Sequence, residues 1–412
     1  MKIGILTFHR SINNGAVIQS YSLSKRIKED FPEDTVEIID YHMPMIQETY
    51  NFSLKNYFKS ASLVNFLKKT IGLIFNPRMP MQTAKKIRSF ENAFEKLPLT
   101  VEKIYDDKFN KLFDYINAEF DILIVGSDAV WNFTLRGFPN AYFPDKTVTC
   151  QKLSYAASCY GMDFFNISDD IRLKIGDILN NFDFIGVRDK ATEDFVKWSG
   201  CCIEPVHTCD PTAFLDLEKL PINIELLKKK LSAKVFDFNK PTIGVMGSMR
   251  MVKMIKGFYG NKYQIAALYN YTKGADVQLF DLDPFEWAYV FRFFKITFTT
   301  YFHGTMLSLK NGVPVICIAL DTQFSKRHIP KTLDLLTRLK YDSWYFKTDY
   351  ISQNFDEIKN KSDELLSNSH KNDILKRVNE ESESYNYFKS ALIKCRKERN
   401  TDHNNLKREN ND

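Results

Sequence analysis

The chain has few of the features that mark a secreted, metal-binding or membrane-spanning protein. Its seven cysteines form no CxxC pair, and their odd number argues against a disulfide framework. No apolar run is long enough to cross a bilayer. Met1 is followed almost at once by the strand-like run Ile3–Leu6, which leaves no room for a signal peptide. These absences predict a cytoplasmic protein with free thiols and no metal site.

One stretch of the chain has no acidic residue. Between Glu48 and Glu91, lysines and arginines are interleaved with Phe, Leu and Ile. Such a segment either lies in the interface of an anionic membrane or forms a helical insertion whose lysines are solvated. The charge is not spread over a face that fits a nucleic-acid groove. We expect no nucleic-acid partner, and we assign any peripheral contact with the inner membrane face to residues 51–90.

A chain of 412 residues exceeds one ordinary hydrophobic core, so two domains are expected. Strand and helix patterns alternate in both halves, which predicts an α/β fold of two Rossmann-like domains facing across a cleft. The second domain is expected to contain a helix at Tyr263–Tyr271. The predicted boundaries are an N-terminal domain at 1–216 with a helical insertion at about 51–110, a connector at 217–240, a C-terminal domain at 241–350, helices at 351–397 and a disordered tail at 398–412.

The stretch from Lys295 to Leu320 carries the strongest functional signal. Its pattern is strand, helix, strand, with Phe302–Thr305 at the point where the first strand passes into the helix. In doubly wound sheets this point faces the ligand crevice, and a helix N-terminus there favours an anion. Gly304 allows the backbone to approach a ligand closely. His303 is the only ionisable side chain of the loop, and we expect it to face the ligand.

Other polar residues follow strands and are expected at the same crevice. Asp128 follows a buried strand, although an Asx-turn would also explain it. Arg188 ends a strand beside Asp189, with which it would otherwise form a local ion pair. Arg250 lies in the loop after the first strand of the second domain. Further candidates are Asn14, Gly15 and Gln19 in the first strand–helix turn, and Trp131, for which a place in the core is equally expected.

Six short motifs occur in the order and spacing of the polysaccharide pyruvyl transferase family, which the chain resembles over about residues 1–330. They are Asn13–Gln19 (NNGAVIQ), Asp121–Trp131 (DILIVGSDAVW), Ser154–Ser158 (SYAAS), Ile185–Asp189 (IGVRD), Asp210–Thr212 (DPT) and Phe302–Thr305 (FHGT). The resemblance implies a GT-B-like architecture and transfer of the enolpyruvyl group of phosphoenolpyruvate to a sugar, which forms a pyruvate ketal. Many members have an arginine two positions before the histidine, where this chain has Tyr301.

The implied chemistry assigns roles to these residues. A donor with a phosphate and a carboxylate needs cations and a helix N-terminus, and the reaction needs a general acid and a general base. His303 and Asp128 are the expected catalytic pair, without a choice between acid and base. Donor binding is assigned to Arg188, Arg250, His303, Gly304 and Thr305, and acceptor binding to Asn14, Gly15, Gln19 and Trp131.

The sequence leaves two other functions open. A GT-B-like glycosyltransferase that uses a nucleotide sugar would share the fold, and a non-catalytic partner in polysaccharide assembly would share it too. Phosphoenolpyruvate is expected as a co-substrate, with no redox cofactor and no metal. The acceptor is expected to be a sugar of a surface polysaccharide or of its lipid-linked precursor.

Overall fold

Two parallel sheets, each flanked by helices, form the body of the protein. The computed structural model describes residues 1–42, 79–106, 108–134, 137–319, 328–347 and 355–409. The first sheet has the order β3-β2-β1-β4-β5-β6-β7 and the second β10-β9-β8-β11-β12-β13, with every pairing parallel. The predicted α/β fold with two Rossmann-like, GT-B-like domains is therefore confirmed.

The N-terminal domain contains the first sheet and five helices in its described part. Its strands are β1 (Lys2–Leu6), β2 (Thr35–Tyr41), β3 (Leu99–Ile104), β4 (Ile122–Asp128), β5 (Gln151–Ala157), β6 (Phe184–Val187) and β7 (Val206–His207). Its helices are α1 (Asn14–Asp30), α2 (Met79–Phe94), α3 (Asn110–Glu119), α4 (Asp169–Leu179) and α5 (Lys190–Ser199). Strand β4 is buried along its whole length, as expected for a central strand covered on both faces.

The C-terminal domain repeats this arrangement after a connecting helix, α6 (Ile224–Ala233). Its strands are β8 (Thr242–Met246), β9 (Gln264–Ala267), β10 (Val277–Gln278), β11 (Phe294–Thr299), β12 (Val315–Ala319) and β13 (Tyr345–Lys347). Its helices are α7 (Met249–Tyr259), α8 (Pro284–Val290), α9 (Phe302–Lys310) and α10 (Lys331–Arg338). Short 3-10 turns lie at Phe164–Asn166, Pro211–Phe214, Leu217–Lys219, Phe291–Phe293 and Asp342–Trp344.

Three helices end the chain: α11 (Phe355–Ser367), α12 (Lys371–Ser382) and α13 (Tyr385–Glu409). The last of them returns to the N-terminal domain. Phe388 is fully buried and packs edge-on against Tyr155 of β5 at 4.8 Å, and Lys389 forms an ion pair with Asp30 at 2.7 Å. The first turns of α13 therefore pack on the first domain.

Several sequence expectations differ from the structure. The predicted helix at Tyr263–Tyr271 is wrong, because its buried apolar residues form β9, and the preceding segment, expected as a loop, is helix α7. The insertion at 51–110 is not all helical, since it contains edge strand β3. The last helix continues to Glu409, so most of the expected disordered tail is helical. None of the helices in the described ranges combines the length and the apolar character that a membrane crossing needs.

Candidate active site

The site lies where the strand order of each sheet reverses direction. In the first sheet this point is between β1 and β4, and in the second it is between β8 and β11. Ligands of open parallel sheets bind in the crevice at the carboxyl ends of the strands on either side of such a point. Gly15 follows β1, Asp128 ends β4, and His303 follows β11. The folds of both domains therefore bring these three residues to one crevice.

His303 occupies the first turn of α9 and lies against the other domain. Its ring is so close to Gly15 that a Cβ on that glycine would be 1.9 Å from Nδ1. On the other side, Nε2 is 3.6 Å from Oδ2 of Asp210. Nε2 is buried and has no hydrogen-bond partner in the described part of the chain. A ring held between two domains with one unsatisfied nitrogen is suited to contact a ligand.

The residues after His303 support the helix start instead of facing a ligand. A Cβ on Gly304 would come within 2.5 Å of Oγ1 of Thr299 and 2.6 Å of Sδ of Met246. Glycine is therefore needed for the packing of α9 on its own sheet. Thr305 is fully buried, and its hydroxyl donates to the carbonyl of Tyr301 at 3.2 Å. This hydroxyl is buried and bonds one turn back within α9, so the structure does not place the Thr305 side chain where a donor would reach it.

Arg188, at the end of β6, is the buried cation of the site. Its Nη1 donates to Oδ2 of Asp210 at 2.8 Å, and Nη2 is 3.6 Å from Oδ1 of Asp128. The guanidinium also lies over the ring of Phe302 at 4.7 Å. Burial opposes its charge, but Asp210, Asp128 and Asp189 outweigh burial and raise the pKa of the guanidinium. Its Nε and Nη2 have no hydrogen-bond partner among the described residues.

Two carboxylates neutralise this cation. Asp128 has a φ of +78°, a left-handed conformation that aspartate tolerates better than most residues, and it accepts a hydrogen bond from the backbone of Ala129 at 2.8 Å. Asp210 accepts from the backbone and the hydroxyl of Thr212 at 3.0 and 2.6 Å. Burial opposes ionisation of both, but His303 and Arg188 outweigh it and hold the pKa of each carboxyl below its usual range. Both carboxylates are therefore charged near neutral pH.

A lysine that sequence analysis missed completes the cluster. Lys331 is the first residue of α10, and its ammonium lies 4.6 Å from the ring centre of Tyr160 and 5.5 Å from that of Phe302. Burial, followed by repulsion from Arg188, lowers the pKa of this lysine to about 8. In the sequence, the signal for Lys331 was a basic residue at the start of the helix that follows β12. The role of Asp210 was missed too, although its DPT motif had been noticed.

The structure removes two residues from the expected acceptor site. Gln19 is fully buried, where its amide donates to Oγ1 of Thr7 at 2.9 Å and its carbonyl accepts from Ser127. Trp131 is fully buried and stacks with Phe143, with ring centres 6.2 Å apart. Gln19 holds strand ends together and Trp131 fills the core, so neither is available to stack on or hydrogen-bond a sugar.

Three further predicted residues lie at or beside the crevice. Asn14 begins α1 beside Gly15, and its buried Oδ1 has no hydrogen-bond partner in the described ranges. Arg250 is exposed in the first turn of α7, which follows the strand next to β11. Tyr301 caps α9 from its extended conformation and packs on the ring of Tyr269 at 4.6 Å. It thus joins an aromatic pair where the family often has a cation.

Five ionisable side chains therefore meet between the domains: Arg188, His303 and Lys331 as cations or proton carriers, and Asp128 and Asp210 as carboxylates. Asp128, Arg188, Asp210 and His303 are each no more than 8% exposed. These side chains are shielded from solvent, and the unsatisfied nitrogens of Arg188 and His303 suit a small, highly charged anion. The site also offers acid and base groups within a few ångströms of each other.

The comparisons with known proteins agree with this arrangement. The model of the family described as "Polysaccharide pyruvyl transferase" matches residues 13–322. No curated protein sequence matches the chain significantly. A crystal structure of UDP-GlcNAc 2-epimerase from Neisseria meningitidis has a TM-score of 0.53 at 9% identity, covering 96% of this chain and 100% of that one. A putative UDP-N-acetylglucosamine 2-epimerase from Listeria monocytogenes has a TM-score of 0.51 at 10% identity, covering 96% and 97%. At such identities these likenesses show the fold alone.

Proposed function

The chain belongs to the polysaccharide pyruvyl transferase family, and we propose that it moves the pyruvyl group of phosphoenolpyruvate to a sugar of a surface polysaccharide or its lipid-linked precursor. The observation that carries this proposal is the set of unsatisfied N–H groups on Arg188 and His303, buried between the two domains. Phosphoenolpyruvate brings a phosphate and a carboxylate that would accept hydrogen bonds from them. Its small size and high negative charge suit these buried groups.

The donor would lie among the cations of both domains. Arg188 offers Nη2 and Nε, His303 offers Nε2, and Lys331 adds a positive charge beside Phe302. The N-terminus of α9 adds a partial positive charge. Arg250, exposed on the neighbouring α7, would contact the donor from the rim of the crevice. This arrangement supplies the charge that an arginine at position 301 would supply elsewhere in the family.

The reaction balances without a redox cofactor. A proton is added to the methylene carbon of phosphoenolpyruvate, and a sugar hydroxyl attacks C2, losing its own proton. The C2–O bond to phosphate then breaks, and a second sugar hydroxyl closes the ketal and loses its proton. One of the two hydroxyl protons balances the proton added to the new methyl group, and the other leaves with the phosphate. Arg188 and Lys331 would offset the charge of the leaving phosphate, and we expect no metal to be required.

His303 and Asp128 are the proposed proton carriers. The His303 ring packs on Gly15 of the other domain, and Oδ2 of Asp210 lies 3.6 Å from its Nε2. General acid or base catalysis by such a group typically contributes ~10²–10⁴-fold. Asp128 lies at the carboxyl end of β4, on the N-terminal side of the crevice, where its carboxylate would accept the proton of a sugar hydroxyl. Asn14, with its unsatisfied Oδ1, would orient that hydroxyl.

The proposal is tested by incubating the purified protein with phosphoenolpyruvate and candidate glycans. Phosphate release, with addition of a pyruvate-sized mass to the glycan, supports it. Turnover of a nucleotide sugar in place of phosphoenolpyruvate would instead identify a GT-B-like glycosyltransferase. Stable binding to a polysaccharide-assembly enzyme without turnover of either donor would identify a non-catalytic partner. His303→Ala is the negative control for the first outcome.

A lipid-linked acceptor would place the protein at the inner membrane face. The basic segment 51–90 is the proposed contact, and its residues up to 78 lie outside the described part of the chain. Within α2, Lys85 and Arg88 are exposed and available to anionic lipid. Lys86 is not, because its ammonium donates to the carbonyl of Tyr269 at 2.9 Å and burial lowers its pKa to about 8.

A further inference from the structure

A cavity of about 560 Å³ lies beside the carboxyl end of β2 and along edge strand β3, next to helix α2. Small-molecule sites commonly enclose ~300–1,000 Å³, so this volume fits one or two sugar rings. The cavity belongs to the N-terminal domain alone. Gln19 and Trp131 are buried and do not form the expected acceptor site, so other residues must hold the acceptor sugar. This cavity lies close to the candidate active site.

The floor of the cavity is a fixed, charged cluster around Asp40. Arg10 donates to both oxygens of this carboxylate, at 2.8 and 2.6 Å. His9 lies 3.2 Å and His42 3.0 Å from Oδ1. Burial opposes ionisation of Asp40, but the neighbouring side chains of His42, His9 and Arg10 outweigh burial and hold its pKa well below the usual range. The floor is therefore ordered before any ligand arrives.

The walls combine open carboxylates with an exposed aromatic ring. Glu91, in the last turn of α2, and Glu95, just after that helix, are exposed, and neither has an ion-pair or hydrogen-bond partner in the described part of the chain. Tyr105 is 57% exposed and stacks on His42, with ring centres 4.5 Å apart and planes 29° apart. Carboxylates accept hydrogen bonds from hydroxyls, and an exposed ring covers the apolar face of a sugar.

The cavity and the candidate active site lie on the same edge of the first sheet. Strands β2 and β4 are separated only by β1, so Asp40 and the end of β4 are about 10 Å apart at the usual strand spacing. The loop between β1 and α1 joins the two places, because Arg10 lines the cavity and Gly15 contacts His303. A saccharide held in the cavity therefore reaches Asp128 with its next residue.

The geometry points to this cavity as the subsite for the penultimate sugar of the saccharide acceptor, with Tyr105 as its stacking platform and Glu91 and Glu95 as hydroxyl acceptors. Only the statement that the bound saccharide is the acceptor of the pyruvyl group rests on the proposed function. Binding of the saccharide itself does not depend on it. The cavity holds one sugar while the neighbouring sugar, placed between Asp128 and His303, receives the pyruvyl group.

The test is saturation-transfer difference NMR on the full chain without donor, with lactose, cellobiose and N-acetylglucosamine disaccharide as probes. We expect at least one disaccharide to bind the wild type, and Tyr105→Ala to weaken it about tenfold, the size of a lost stacking contact. Glu91→Gln should weaken it several-fold. Tyr387→Ala, which removes a similarly exposed tyrosine from α13, and Glu33→Gln are the matched controls.

The outcomes separate this inference from the proposed function. Saccharide binding that depends on Tyr105, without turnover of phosphoenolpyruvate, supports the subsite and contradicts the pyruvyl transfer. Turnover in which Tyr105→Ala leaves the KM for the saccharide unchanged supports the transfer and overturns the subsite. Absence of binding by all three probes also overturns the subsite. If both hold, Tyr105→Ala should raise the KM for the saccharide and leave that for phosphoenolpyruvate unchanged.

Discussion

The His303 imidazole of the C-terminal domain packs directly on Gly15 of the N-terminal domain, with no space for a methyl group between them. This contact joins the helix that follows β1 to the helix that follows β11. Each residue alone is an ordinary part of a helix start. Together they determine how closely the two halves of the crevice approach, and therefore the geometry of any reaction between them.

Gly15→Ala should lower turnover about a hundredfold, since displacement of a reacting group by about 1 Å has an effect of this size. The added methyl group would displace His303 from its position beside Asp210. The rate of phosphate release from phosphoenolpyruvate measures the effect. The matched control is Gly257→Ala, a helix glycine with open space around it, which should retain wild-type turnover. Equal rates for Gly15→Ala and wild type would contradict the contact.

His303→Ala should weaken phosphoenolpyruvate binding about ten- to a hundredfold, the value of one hydrogen bond to a charged group, and should also lower kcat. Arg250→Ala should weaken donor binding less than about tenfold, because solvent screens an exposed cation. Steady-state kinetics with varied phosphoenolpyruvate separates the two effects. Wild-type kinetics in His303→Ala would remove this residue from the site.

Asp210→Asn should reduce the free energy of unfolding by about 3–5 kcal/mol, because it leaves the buried Arg188 without its closest partner. Urea denaturation at pH 7 measures the change. Asp169→Asn, which breaks an exposed pair with Arg172, is the control and should cost less than about 1 kcal/mol. A similarly small change for Asp210→Asn would show that Arg188 does not depend on this carboxylate.

The cost of Asp210→Asn should also depend on pH. Because the pKa of Asp210 is lower in the folded state than in the unfolded state, its ionised form stabilises the fold fully above pH ~4 and loses this effect as the pH falls further. The difference between wild type and variant should therefore shrink below pH 4. A difference that stays constant down to pH 2 would contradict an ionised Asp210.

Lys331 should make donor binding weaken in alkaline solution. With its pKa lowered to about 8, the lysine loses its charge as the pH rises through 8, and an anionic donor then binds less tightly. The KM for phosphoenolpyruvate should rise towards about tenfold per pH unit above 8. Lys331→Arg keeps its charge in this range and should flatten the profile. The same alkaline rise in Lys331→Arg would assign the titration to another group.

Anionic vesicles test the contact proposed for residues 51–90. Each basic side chain near an anionic surface contributes about 1 kcal/mol, and this contribution falls with salt. We expect the protein to co-sediment with vesicles containing phosphatidylglycerol at low salt, and Lys68→Glu with Lys69→Glu to abolish this. Neutral vesicles are the control. Absence of binding at low salt would leave a helical insertion with solvated lysines.

Strand ends and the residues after them were the most predictable part of the site. Asp128, Arg188 and His303 all follow buried apolar runs, and parallel sheets gather such positions at one edge. Lys331 gave no comparable signal, because a lone lysine at a helix start is common on protein surfaces. Tertiary packing buries the amide of Gln19 and the indole of Trp131, and the local sequence does not predict this burial.

The errors in the predicted secondary structure also result from tertiary contacts. The run from Tyr263 to Leu268 is apolar and short, and periodicity alone does not separate a buried strand from a buried helix. Strand β3 was missed because only Thr100 and Ile104 are buried along it, which leaves an edge strand without an apolar pattern. In both cases the neighbouring strands supplied the hydrogen-bond partners that the local sequence does not encode.

The return of α13 to the first sheet bears on how the protein is made. Tyr155 and Phe184 of the N-terminal domain pack against Phe388, and α13 leaves the ribosome only after both sheets have been synthesised. The first domain therefore emerges with part of its apolar surface uncovered and remains so until the second domain has been synthesised. A chain that stops before Tyr385 would keep that surface exposed, and such nascent or truncated forms are the ones that chaperones and proteases would bind.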